Sequence, residues 1–228
     1  MRIWALPVAA AALLLIAGCT AAPEHEGQIV LAEAQELGGY NPVSGYGEAG
    51  VSPLYEALFR PEADSDDTVP DLVPALAAGE PEQLGPRRWR IPLRTDVVFS
   101  DGTPFDAADV VATYTAVRNP EVASDIATHV APVAQVRADG EDAVVVDMHT
   151  DADPKPYLLV GIAPAERVES KPAANWKLNT EPVGTGPYRL ESLRPEQAVL
   201  VARGDYWGEP SQVRRIVYTH TPDDNVRA

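Results

Sequence analysis

The clearest pattern in the chain begins at Arg88. Trp89, Ile91 and Leu93 alternate with Arg88, Arg90 and Arg94, a period of two that predicts a strand with one buried face. Asp101-Gly102 follows as a turn signal, because glycine tolerates positive φ and an aspartate carboxylate bonds its own downstream backbone. Asp106 then stands as the N-cap of a helix, placed to accept from the free N–H groups of Ala108 or Asp109. Phe105 and Val110 occupy the two positions of a hydrophobic staple, and Val110, Tyr114 and Val117 continue one helical face. The helix is expected over 106–118, stopping at Asn119-Pro120, where proline removes a donor.

The same reading extends along the chain. Residues 28–34, with Ile29, Val30 and Leu31, predict a first strand. Val51, Leu54, Tyr55 and Leu58 lie at helical spacing. Residues 133–136 and 143–148 pair as a hairpin across Asp139-Gly140, with a loop slightly longer than two residues. The apolar run 157–162 is hemmed by Pro154, Pro156 and Pro164 and has no assignable type. Three more strands are expected over 188–193, 198–203 and 213–219. Tyr206 and Trp207, between the last two, read as core anchors.

The first residues read as a targeting segment. Arg2 precedes an apolar run over 3–17, broken only by Pro7, and small residues in Leu15-Ile16-Ala17-Gly18 lead to the one cysteine, Cys19. The run is too short and too one-sided for a transmembrane helix. The pattern resembles a bacterial lipoprotein lipobox, which implies a signal peptide over 1–18, cleavage before Cys19, and lipid attached to that residue. An ordinary signal peptide that contains a cysteine, or a buried thiol, is the alternative. Residues 19–27 then form a polar tether. With a single cysteine no intrachain disulfide is available.

Charge narrows the partners. The chain carries 18 Lys and Arg against 34 Asp and Glu, a net −16. That balance excludes nucleic acid as a natural partner and adhesion to anionic lipid heads, and it keeps an exported protein soluble. Candidate chemistry is sparse. His25, His129, His149 and His220 are scattered with no metal-binding spacing, and no Gly-x-Ser-x-Gly elbow occurs. Asp64, Asp66 and Asp67 lack the glycine and distal glutamate of a calcium loop. Gly184-Thr185-Gly186 is not a phosphate loop, since no Lys-Ser/Thr follows and Pro187 removes an amide donor. No catalytic residue, metal or cofactor is therefore expected.

Four segments carry a resemblance. Phe99-Ser100-Asp101-Gly102-Thr103-Pro104-Phe105, continued by Ala107, Asp109, Val110 and Val111, resembles a signature of the extracytoplasmic solute-binding proteins of the peptide/nickel ABC-transporter family. Pro70-Asp71-Leu72-Val73-Pro74-Ala75-Leu76-Ala77, Pro182-Val183-Gly184-Thr185-Gly186-Pro187-Tyr188 and Gly204-Asp205-Tyr206-Trp207-Gly208 are similar to three further segments of that family, in the same order. Arg203-Gly204 replaces the usual Asn-Pro.

The resemblance implies an α/β, periplasmic-binding-protein-like fold with mixed sheets. Residues 28–59 and 184–228 would form a main N-terminal lobe and 60–183 an inserted subsidiary lobe. Family members run longer, so a second main lobe, which supplies the other wall of the cleft, would be missing from this chain. The implied role is a lipid-anchored, extracytoplasmic solute-binding component of an ABC importer, capturing peptides or peptide-like solutes for permease subunits. A truncated remnant, or a surface lipoprotein that serves as an interaction module without a solute, is the alternative. In relatives the segment beyond an Asp-Pro pair, here Asn41-Pro42, faces the cleft, which implicates Tyr46, Gly47 and Glu48 in ligand binding. Glycine there admits a ligand to the backbone, and Glu48 could meet an ammonium group. A plain exposed glycine-rich loop would look the same.

Overall fold

A computed structural model describes residues 27–63 and 69–222. The leader, Cys19 and most of the tether lie outside the described residues, as do the acidic turn at 64–67 and the chain after 222. In chain order the strands and the helix are β1 (Gln28–Glu33), β2 (Phe59–Pro61), β3 (Leu72–Pro74), β4 (Glu82–Gly85), β5 (Arg88–Pro92), α1 (Ala107–Arg118), β6 (Val133–Ala138), β7 (Ala143–Met148), β8 (Tyr188–Arg194), β9 (Gln197–Ala202) and β10 (Arg215–His220).

Two four-stranded sheets and one short ribbon result. One sheet has the order β1-β10-β9-β8, with β1 parallel to β10 and the other pairs antiparallel. The second has the order β4-β5-β7-β6 and is antiparallel throughout. The ribbon pairs β2 with β3. The fold is thus α/β with mixed sheets, as expected.

The signals around β5 and α1 have counterparts. In β5, Ile91 is fully buried, while Arg88 and Arg90 point outward to Asp147 and Asp139 at 2.6 and 2.8 Å. The Asp101 carboxylate accepts from the Thr103 N–H at 3.1 Å, and Gly102 takes φ +87°. Asp106 caps α1 by accepting from the Ala108 N–H at 2.7 Å, and the Asp109 carboxylate accepts from the Asp106 N–H at 2.9 Å in return. Asp109 also accepts from Ala165 at 2.8 Å. Burial pushes its carboxyl up to about 6, against those two donated bonds. Phe105 and Val110 end in the same core cluster, so the staple holds the helix entry against the sheet.

The segment 51–58 differs from its periodicity: it forms no helix and bends at Pro53, Leu54 and Leu58. Leu54, Tyr55, Ala57 and Leu58 are all buried, so the segment is covered on every side rather than along one face. Its backbone is satisfied by other parts of the chain. The Leu54 and Pro53 carbonyls accept from Gly186 and Tyr188 at 3.0 and 2.9 Å. The Ala57 and Leu58 carbonyls accept from Leu76 and Ala75 at 3.1 and 2.9 Å, and the Glu56 carbonyl accepts from Ile162 at 2.9 Å. Long-range pairing on several sides outweighs a weak local helical preference. The undecided run near 157 resolves the same way. After a 3-10 turn over Lys155–Tyr157 it runs beside 56–59, with Leu158, Val160 and Ile162 buried at alternate positions.

Two core clusters result. The larger spans Val43, Leu58 and Phe59, the α1 face, the β5–β7 sheet and the run 158–163. The smaller joins Tyr40, Leu54 and Tyr55 to Tyr188, Leu200 and Ile216 of the first sheet. The buried segment 54–59 contributes to both.

Candidate functional site

The loop 40–50 is shaped by its own sequence. Asn41 caps a 3-10 turn over Pro42–Ser44, accepting from the Val43 N–H at 3.0 Å, and donates from its amide to the Ala173 carbonyl at 3.0 Å. Gly45 and Gly47 take φ +104° and +69°, which turn the loop sharply on either side of Tyr46. A side chain at Gly47 would also press within 2.7 Å of the Ser52 Cβ. Gly47 is therefore a packing position, and its backbone faces Ser52 rather than open space.

The three residues singled out from the sequence separate in space. Tyr46 packs edge-to-face against Tyr40 at 5.2 Å and Tyr55 at 6.2 Å, and lines a groove of about 580 Å³ with Tyr40, Tyr218, Glu33 and Glu36. Burial and neighbouring negative charge raise the Tyr46 hydroxyl well above its ordinary value, so it stays protonated. Glu48 points elsewhere. Its carboxylate lies 3.6 Å from the His129 imidazole, at the rim of a pocket of about 320 Å³ walled by Ile126, Val130, Tyr157, Leu159 and Val160. Both Glu48 and His129 are more than half exposed. This pocket pairs an apolar wall with a carboxylate and an imidazole, the combination that suits an apolar group carrying an ammonium. His129 had been read as one of four scattered histidines; its approach to Glu48 crosses the whole of α1 in sequence and had no local signal.

A second assembly has no signal in the spacing of the chain, and its central acceptor, Glu56, lies in none of the four recognisable segments. Arg203, whose side chain is 1% exposed, donates to the carbonyls of Gly184, Gly186, Val98 and Phe99 at 3.0 to 3.3 Å, and pairs with Asp205 at 3.1 Å. Ser100 donates to the Gly184 carbonyl at 2.9 Å. Tyr206 and Trp207 donate to the two oxygens of Glu56 at 2.7 and 2.6 Å, and the Arg94 guanidinium sits over the Trp207 ring at 4.1 Å. Arg94 in turn donates from its backbone to Leu76 at 3.0 Å. Burial raises the Glu56 carboxyl above its ordinary range, opposed by the bonds from Tyr206, Trp207 and Thr185. All four segments that carried the resemblance thus meet in one joint between the two core clusters. The departure at Arg203 is where the joint gains its central donor. Tyr206 and Trp207 anchor through their polar atoms as much as through their rings.

Among the described residues no group of three or more His, Cys, Asp or Glu is placed to hold a metal, and no helix is long and apolar enough to cross a membrane.

Comparison with known proteins bears on the family and the fold. A family model described as bacterial extracellular solute-binding proteins, family 5 middle, matches residues 71–228. Protein XP55 of Streptomyces lividans is 34% identical over 98% of this chain and 43% of its own length. The structure of NikZ from Campylobacter jejuni in complex with Ni(L-His) superposes with a TM-score of 0.77 at 22% identity, over 88% of this chain and 40% of that one. The oligopeptide-binding protein AppA of Bacillus subtilis, in complex with a nonapeptide, gives 0.73 at 18% identity, over 88% and 41%. At these identities the two structures speak for the fold. The chain spans less than half the length of these relatives.

Proposed function

Because the chain belongs to family 5 of the bacterial extracellular solute-binding proteins, we propose that it is a solute-capturing component of an ABC importer, taking peptides or peptide-like solutes for permease subunits. The observation that carries the reading is the pocket beside Glu48. It sits on the loop implicated by the family resemblance, and it offers an apolar wall with a carboxylate at its mouth. A peptide's amino terminus would meet Glu48 while its first side chain entered the pocket.

Two lobes fit this role. Residues 28–59 and 184–228 would form the main lobe and 60–183 a subsidiary lobe, joined by the buried segment 54–59 and the Arg203 assembly. Binding would occur against the face that carries Glu48.

Titration of the chain with a mixture of short peptides tests the reading. Heat of binding and a raised melting temperature are expected. Glu48→Gln should weaken binding by about tenfold, the scale of one partly exposed charge-assisted hydrogen bond. Silence with every peptide and unchanged melting would overturn it and favour an interaction module.

Lipid anchoring at Cys19 belongs to the same proposal. The support is the sequence context alone: a basic residue, an apolar run, and small residues before the sole cysteine. The native chain should partition into detergent with the mass of a diacylated cysteine, and Cys19→Ser should abolish both. A wild-type chain without added lipid mass would refute the anchor.

A further inference from the structure

The larger groove is not used by the peptide reading, and its chemistry is different. It lies where β1 ends and the chain turns through 34–40, beside Tyr218 of β10. Tyr40, Tyr46 and Tyr218 line it, with Glu33 and Glu36 as its ionisable groups; no lysine or arginine lines it among the described residues. Tyr40 and Tyr46 meet edge to face at 5.2 Å, and Tyr218 and Glu33 line the same groove. Burial, with Tyr218 and Glu33 nearby, pushes the Tyr40 hydroxyl up to about 12, and Glu33 raises those of Tyr46 and Tyr218 as well. The groove thus sets three neutral tyrosines beside the carboxylates of Glu33 and Glu36. His220, the register partner of Glu33 on β10, holds its Nδ1 2.9 Å from the Gln35 carbonyl.

From this geometry we propose that the groove between β1, β10 and the 34–40 turn binds a small organic ammonium ion. Tyrosine faces attract a cation through their quadrupole, and the attraction grows as the site sheds water. Glu33 and Glu36 supply the counter-charge. A volume of about 580 Å³ suits a small molecule rather than a single inorganic ion. The acidic surface of the whole chain, net −16, favours approach of a cation and disfavours an anion.

The test is calorimetric titration of the full chain with choline at low salt. Its comparison is the uncharged alcohol in which a tert-butyl group replaces the trimethylammonium. Choline is expected to bind saturably and the alcohol about tenfold more weakly or not at all. Glu33→Gln should weaken choline by about tenfold, and Tyr218→Leu by a similar factor, whereas Tyr218→Phe keeps the ring face and should keep the affinity. Glu48→Gln should leave choline binding unchanged, which separates this site from the peptide pocket. The proposal is overturned by absence of saturable choline binding, by equal binding of the neutral alcohol, or by a Glu33→Gln variant that binds as the parent does. Glu33 lies at a strand end and makes no ion pair among the described residues, so its variant should fold and keep the test decisive.

Discussion

Arg203→Ala is expected to lower the stability of the chain by about 3–5 kcal/mol, the range for breaking a buried charged network. The side chain is 1% exposed and serves four backbone carbonyls from two separate segments, so truncation leaves buried acceptors without donors and an unfilled space beside them. Asp205 is 58% exposed and can turn to water, so its lost partner contributes little. The measurement is the urea unfolding midpoint. A second signature should accompany it. Arg203 ties the end of β9 to the 98–99 backbone, hence one core cluster to the other, and its loss should lower the slope of the transition or split it. Arg203→Lys keeps the charge but not the planar fork, and should recover less than half of the loss. An unchanged midpoint and slope in Arg203→Ala would remove the joint from the account.

Gly184→Ala is expected to cost about 3 kcal/mol or more, at the upper end of what overpacking does. A methyl group there would fall on the Leu54 carbonyl oxygen and lie 2.7 Å from the Tyr55 ring. Neither neighbour can retreat. The Leu54 carbonyl is held by the Gly186 N–H at 3.0 Å, and the Tyr55 hydroxyl accepts from the Val183 N–H at 3.2 Å. The matched control is Gly204→Ala, since a methyl group at Gly204 meets nothing within 4 Å and should change stability by less than about 0.5 kcal/mol. Melting temperatures of the two variants read the contrast directly. Equal melting of both would mean that the turn moves freely and that the close approach is not required.

Much of the local structure was legible because its causes are local. The Asp106 cap, the Asp101-Gly102 turn, the 133–148 hairpin and the last three strands each follow from residues within a few positions of one another. The segment 51–58 misled because its apolar spacing mimics a helix, while its burial comes from Gly186, Leu76 and Ile162, far along the chain. The candidate site was legible as a loop and not as a geometry. Tyr46, Gly47 and Glu48 are consecutive, yet positive φ at Gly45 and Gly47 aims Tyr46 and Glu48 at different cavities.

From the sequence alone came the fold class, the family, the absence of an evident catalytic set, and the loop on which ligand contact is expected. Those rest on periodicity, caps, turn residues and four short segments, all short-range information. Only the tertiary structure decided that His129 stands beside Glu48, that three tyrosines line one groove with Glu33, and that the four recognisable segments form a single joint through Glu56 and Arg203. Such contacts depend on how distant backbone carbonyls and side chains are brought together as the two clusters close. No spacing along the chain encodes that distance.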